Sequence, residues 1–357
     1  MFEFDSRSAH IIDDFISLSY QNKNIFINAV RDNKIKTMHI TNIVTQLLII
    51  IERSNLTLYP LLVTLGSSIV LLSLSNLDTT YASHLDINTT KLTDNMYVIY
   101  GAGGNVIVSI GIDGIIMVDD QYAPVTEKMK SVIAELSDQP IKFVINTHWH
   151  PDHVGGNENL GESGAIIVSH DNVRKRLSNN QFFEFINKTI PALSKNGLPI
   201  ITFSENMILY QNEEEIKITH LDMGHTDGDS AVFFIKNNVI HVGDDFSDRS
   251  YPFIDLSGGG SIDGLISSLQ TILSMINNET KVVGGHSGIS NQTKVKDYLN
   301  MLIDIRDHIK QMIQEGKSLD EIIQSKPTSK YDAIYYDHSF VKPKDLVTSI
   351  YIYMTRQ

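Results

Sequence analysis

The stretch "NTHWHPDHVGGN", residues 146–157, decides how the rest of the chain is read. Within it, positions 148 to 153 hold three histidines and one aspartate. Imidazole and carboxylate at that density are awkward in a core and unnecessary on a surface, so the stretch points to a metal. His148 and His150 are two apart, and in an extended segment their side chains point to the same side. Pro151 pushes His150 toward an extended conformation and then helps the chain turn. The turn brings Asp152 and His153 to a neighbouring position, and Gly155-Gly156 permits a tight exit. Four ligands from one short loop cannot easily surround a single tetrahedral ion, so the spacing suits two adjacent sites better than one.

Further ligands are offered downstream, each just after an apolar run and beside glycine. "DMGHTDGDS" places His225 after "EIKITHL", "HVGDDFS" places Asp244 after "VIHV", and "VVGGHSG" places His286 after "KVV". Strand ends on one edge of a sheet are the expected place for a site assembled from distant segments. The wider pattern agrees. "NMYVIYG" and "NVIVSIGIDGIIMVDD" read as short strands with Gly-rich and Asp-Gly turns. "TEKMKSVIAEL" is helical, with Met129, Val132, Ile133 and Leu136 at helical spacing. "IKFVINT" and "AIIVSH" are strands, and the segment from Asp171 to about Ile186 is expected to be helical. Further strands follow, then helices at about 261–277 and 293–315 with "KVVGGH" between them. Strands interleaved with helices give a sheet core covered by helices, an α/β fold.

H-x-H-x-D-H followed by G-H-T, G-D and a late G-H closely resembles the metallo-β-lactamase superfamily of hydrolases. The resemblance runs from about residue 96 to 290, and all five elements come in the family's order. It implies a four-layer αβ/βα sandwich with a dinuclear zinc site at one edge. Carried over residue by residue, it assigns His148, His150 and His225 to the first ion. It assigns Asp152, His153 and His286 to the second, with Asp244 rather than the adjacent Asp245 bridging both. It also implies a hydroxide shared by the two Zn2+ ions attacking a carbonyl carbon, with Asp152 as the catalytic residue that orients the nucleophile and relays a proton.

The substrate is expected to be a small molecule: an ester, lactone, thioester or β-lactam. The absence of cysteine excludes lactamases with a cysteine ligand, along with disulfides and thiolate catalysis. Asp244 resembles the bridging carboxylate of glyoxalase II-like thioesterases and lactonases, whereas an export signal would favour a β-lactamase. A nuclease on the same fold needs a basic path, and a net charge of −13 with a pI near 5.4 argues against nucleic acid as partner. An iron redox protein on the same fold would need a flavodoxin-like partner domain, for which the residues after His286 are too few.

Other polar clusters have plainer readings. His170, His220 and His241 lie at or within expected strands and read as satisfied structural histidines, and Trp149 reads as a packing residue or pocket wall. "GAGG" at 101–104 reads as a hairpin turn, and "SGGGS" at 257–261 as either a mobile loop or a helix lead-in. Neither is a P-loop, because no Gly-Lys-Ser/Thr follows. "YPFIDLSGGGS" is expected to face substrate. The hydrolase domain is expected to span 83–357, preceded by an extension of unknown role at 1–55 and a hydrophobic segment at 56–82. Residues 56–75 carry no charge over 20 positions, the length of a membrane anchor or a long signal h-region. The expectation is therefore an exported, periplasmic or membrane-anchored protein, against a competing reading of 56–75 as a buried helix.

Overall fold

Short strands of two to seven residues, most of them apolar, build two sheets. A computed structural model describes residues 86–183, 187–336 and 340–356. The first sheet takes β1 (Asn88–Lys91), β2 (Met96–Tyr100), β3 (Val106–Ser109), β4 (Ile115–Val118), β5 (Ile141–Ile145), β6 (Ile166–His170) and, at its far edge, Ile201–Phe203. Its first four strands are antiparallel neighbours, and from β4 onward the pairing is parallel. Parallel neighbours need crossovers, and four helices supply the three of them: α1 (Thr126–Leu136), the short pair α2 (Pro151–Val154) and α3 (Asn157–Glu162), and α4 (Asp171–Leu177).

A small hairpin follows, β7 (Gln181–Phe183) with β8 (Lys188–Ile190), before the edge strand Ile201–Phe203, here β9. The second sheet has six strands in chain order: β10 (Asn206–Gln211), β11 (Glu214–His220), β12 (Ser230–Phe234), β13 (Val239–His241), β14 (Lys281–Val283) and β15 (Ile289–Ser290). Only the β13–β14 pair is parallel among these, and α5 (Ile262–Met275) makes its crossover. Helix α6 (Gln292–Gln314) comes after β15, and α7 (Leu319–Ser325), α8 (Asp332–Tyr335) and α9 (Pro343–Thr355) complete the described chain.

Alternation along the strands sorts the apolar side chains into layers. Ile116 and Val118 of β4 face Val232 and Phe234 of β12 in a core between the sheets. Their neighbours Ile115 and Met117 pack outward on Met129 and Ile133 of α1. On the second sheet, Ala231 and Phe233 turn outward onto α5 and α6, meeting Leu265, Leu269 and Leu302. The result is helix, sheet, sheet, helix, the four-layer sandwich that the resemblance implies. Each such buried side chain contributes about 1.5–3 kcal/mol relative to leaving it exposed.

One expectation is corrected. The helix from Asp171 stops at Leu177, and the chain from Gln181 is a strand. Ser178 ends the helix by donating Oγ back to the Arg174 carbonyl, and Asn179 and Asn180 follow with side chains that compete for backbone groups. The expected extension 1–55, the hydrophobic segment 56–82 and the start of the hydrolase domain at 83 lie outside the described residues. No helix among the described residues is long and apolar enough to cross a membrane.

Candidate metal centre

The loops that leave β5, β11, β13 and β14 converge on one edge of the sandwich. After β5, His150 is extended (φ −66°, ψ 145°), and Pro151 starts the one-turn helix α2 that carries Asp152 and His153. The loop after β11 brings in His225, and the tight turn Gly243–Asp245 after β13 brings in Asp244. Gly243 adopts φ +52°, and a Cβ there would sit 2.9 Å from Thr147 Oγ1. A side chain at 243 would therefore be strained and would push Asp244 out of place.

All seven residues expected from the sequence come together. His148, His150 and His225 form one group, Asp152, His153 and His286 another, and His148, His153 and Asp244 a third that links them; within each, the ligand atoms lie within 4.8 Å of one another. His150 Nδ1 and His225 Nε2 are 2.8 Å apart. Asp244 reaches both sides, with Oδ1 3.3 Å from His153 Nε2 and Oδ2 3.7 Å from His225 Nε2 and 3.4 Å from His286 Nε2. Asp152 Oδ2 lies 3.1 Å from His286 Nε2. Asp245 turns away and packs beside Gly224, Ser268 and Asp229; burial pushes its carboxyl up to about 8.

The surrounding hydrogen bonds decide where the ring protons sit. His225 Nδ1 donates to the Phe253 carbonyl at 2.6 Å, and His150 Nε2 to Asp255 Oδ2 at 3.0 Å. Thr147 Oγ1 donates to Asp119 Oδ2, so it accepts from His148 Nδ1 at 3.0 Å. The nitrogens that face inward from these three rings are bare lone pairs, and His148 Nε2 is buried with no partner. Lone pairs aimed at one another across 2.8 Å are tolerable only around a cation. Burial, with the neighbouring His153 and His225, holds His148 well below the usual imidazole range, and burial pushes His225 down to about 4.

The second group is charged differently. His153 Nδ1 donates to Asp119 Oδ2 at 2.7 Å. Burial opposes its ionisation, but Asp244, Asp152 and Asp119 raise it well above the usual range. Asp244 likewise raises His286 to about 10. Burial would raise Asp152, yet His153 and His286 hold it down at about 2. These carboxylates gather protons where positive charge is called for. Both groups fit divalent metal ions: neutral imidazoles on one side, carboxylates and imidazoles on the other.

Several supporting residues carried no motif. Asp119, at φ +63°, accepts from the Thr147 amide as well as from Thr147 Oγ1 and His153, and so supports both groups. Its one sequence signal is the pair of acids closing "IIMVDD". Asp255 lies within the stretch expected to face substrate, but it turns to His150, while Tyr251, Pro252 and Phe253 line the cleft. "GAGG" is the β2–β3 turn, and it approaches so closely that a Cβ on Gly104 would fall 2.2 Å from His153 Cε1. "SGGGS" is a helix lead-in, with Ser261 capping α5. Trp149 is packing, 2% exposed, among Val154, Val173 and Leu177. His170, His220 and His241 are satisfied by the Ser204, Asp229 and Asn105 carbonyls respectively. Above the centre opens a cleft of about 620 Å³.

Fold and site together define an αβ/βα sandwich with a cluster of histidine and aspartate side chains suited to divalent metal ions at one edge. The chain belongs to the metallo-beta-lactamase superfamily, whose family model matches residues 90–286. A hydroxyacylglutathione hydrolase from Pelagibacter ubique (strain HTCC1062) is 28% identical over 171 residues, 46% of this chain and 60% of that protein. The chain thus spans less than two thirds of that relative. Among solved structures, a metallo-beta-lactamase from Pontibacter korlensis superposes with TM-score 0.51 at 16% identity, over 61% of this chain and all of that one. The inverting sec-alkylsulfatase Pisa1 from Pseudomonas sp. gives TM-score 0.61 at 13% identity, over 74% of this chain and 50% of that one. These structural likenesses concern the fold alone.

Proposed function

We propose that this chain is a zinc hydrolase that cleaves a small thioester or related ester, with His148, His150 and His225 holding one ion, Asp152, His153 and His286 a second, and Asp244 shared between them. The observation that carries the reading is Asp244, whose two oxygens face both histidine groups. The hydroxyacylglutathione hydrolase relative supports a thioester ahead of a lactone or β-lactam. When bound, the ions supply Lewis acidity, polarising a carbonyl and lowering the pKa of water.

The protein's own groups do the rest. Asp152 stays ionised, held at about 2, and its carboxylate accepts a hydrogen bond from the attacking water, orients it and passes its proton toward the leaving atom. Asp255, Phe253 O and the Thr147–Asp119 pair fix the imidazoles so that none needs to reorient. Lys188 and Arg249 are the only Lys or Arg side chains among the described residues lining the cleft, too few for a nucleic-acid path.

The test is a hydrolysis panel of S-lactoylglutathione, an acyl-homoserine lactone and nitrocefin, with metal analysis on the same preparation. The thioester should be hydrolysed, activity should vanish with chelator and return with zinc, and His148→Ala and Asp152→Ala should lose both activity and bound metal. Turnover of nitrocefin alone would sink the thioester reading. Full activity without metal would sink the whole mechanism.

A further inference from the structure

The cleft has two unlike sides. Phe183 of the β7–β8 hairpin stacks on His150, ring centroids 4.9 Å apart at 23°. Phe253 approaches the same histidine at 5.9 Å and His225 at 5.8 Å. It also meets Phe183 at 5.6 Å and Phe340 at 6.4 Å. Three phenyl rings therefore wall the side of the cleft above the first histidine group. Arg249 lies on the other side. It lines the cleft with His286 and also the adjoining depression that His286 shares with Gly288. A Cβ on Gly288 would fall 2.7 Å from Arg249 Nη2. Its ion pair with Asp248 uses Nε, at 3.1 Å, so the terminal fork of the guanidinium stands outside that pair.

We propose that the cleft binds its substrate with a fixed polarity: an apolar, preferably aromatic acyl group lies against Phe183, Phe253 and Phe340, and an anionic leaving portion points to Arg249 beside His286. The assignment rests on the hydrolase reading above and deepens it. The acyl group it selects is more apolar than a hydroxyacyl group, because three rings offer it dispersion and no hydroxyl partner. Hydrolysis in this orientation breaks the acyl carbon–sulfur bond, adds the water oxygen to the acyl carbon and returns a proton to the sulfur. The products are a carboxylic acid on the aromatic side and an anionic thiol on the Arg249 side. Lys188 is the competing cation. It is the cross-strand partner of Phe183 and so sits on the aromatic side; it is exposed like Arg249, but its ammonium lacks the planar fork that pairs with a carboxylate through two bonds.

The experiment is titration calorimetry on the zinc-loaded full chain with four non-hydrolysable thioethers, benzyl or methyl on the sulfur of glutathione or of neutral N-acetylcysteamine. S-benzylglutathione should bind tightest. Arg249→Gln should weaken both glutathione ligands about fivefold and spare the neutral pair. Phe183→Ala should weaken both benzyl ligands about tenfold and spare the methyl pair, with Phe183→Leu falling between. Lys188→Gln should change none by more than about twofold. The polarity is overturned if Lys188→Gln rather than Arg249→Gln removes the preference for glutathione. It is equally overturned if Phe183→Ala weakens benzyl and methyl ligands alike, or if wild type binds none of the four. Binding in the expected pattern by a protein that hydrolyses no thioester would defeat the proposed activity while upholding the pocket's polarity.

Discussion

Four imidazoles of the centre fall into two pairs of opposite protonation state, and that difference can be measured. His148 and His225 are driven down by burial and carry no second proton at neutral pH. His153 and His286 are raised, the latter to about 10, and carry one each. Metal ligands must be deprotonated, so loading the ion-free protein at pH 7 should release two protons, one from each raised histidine. Titration calorimetry in buffers of different ionisation enthalpy measures that number, and a value of zero would contradict the assignment. The sign for pH follows: the protons to be displaced diminish as pH rises toward about 10, so apparent metal affinity increases with pH. Asp255 acts one bond further out. Asp255→Ala removes the acceptor at His150 Nε2 and should weaken metal binding about 10–100-fold, read by competition with a chromophoric chelator. The seven inward-facing groups were legible because the residue types able to hold a metal are few and here cluster at short spacings. Asp119 and Asp255 were not, because a carboxylate that steadies a ring 34 or 105 positions away leaves no local pattern. The Phe253 carbonyl was less legible still, since a backbone group has no letter of its own.

At the scale of elements, α4 holds the ligand loops in place although it supplies no ligand. His170 caps its start, accepting at Nδ1 from the Asn172 amide at 3.2 Å. Arg176, two turns on, makes a bidentate pair with Asp227, both contacts at 2.7 Å, and lies 5.7 Å over the Trp149 ring. One side chain thus ties the loop bearing His150 to the loop bearing His225. Arg176→Met keeps the apolar stem and removes the fork. It should cost about 1–3 kcal/mol of stability in urea unfolding and lower the fraction of protein that retains metal on dialysis. An unchanged midpoint and metal content would show the pair to be ornamental. The same element marks where pattern reading failed. The apolar residues of "RLSNNQFFEFI" fit a helical period nearly as well as a strand, and short apolar runs do not distinguish the two. What decides is the run of small polar side chains at 178–180: Ser178 and Asn179 bond back to helix carbonyls and Asn180 accepts from the Ala192 amide, which lets the chain turn into β7.

Across the whole molecule, the centre draws on both sheets. His148, His150, Asp152 and His153 follow β5 of the first, whereas His225, Asp244 and His286 follow strands of the second. Ions bound by both sets would join the layers as well as serve chemistry. Ligand binding to the native state alone stabilises it by about 2.7 kcal/mol when the free ligand is 100 times Kd. Zinc at that excess should therefore shift the urea midpoint upward by a corresponding amount, and chelator should reverse the shift; coincident unfolding curves with and without metal would rule out binding that spans the sheets. The layering itself was readable, because strand alternation and interleaved helices leave few architectures, and the family's motif order left one. Strands β1–β6 and β9 all belong to the first sheet and β10–β15 to the second, so among the described strands the chain passes between sheets once, at the exposed Ser204–Glu205. A break in the chain there would sever no strand and would leave each fragment a whole sheet with an unfinished set of donors. The two pieces would be halves of a lock, with the metal as the part that closes it.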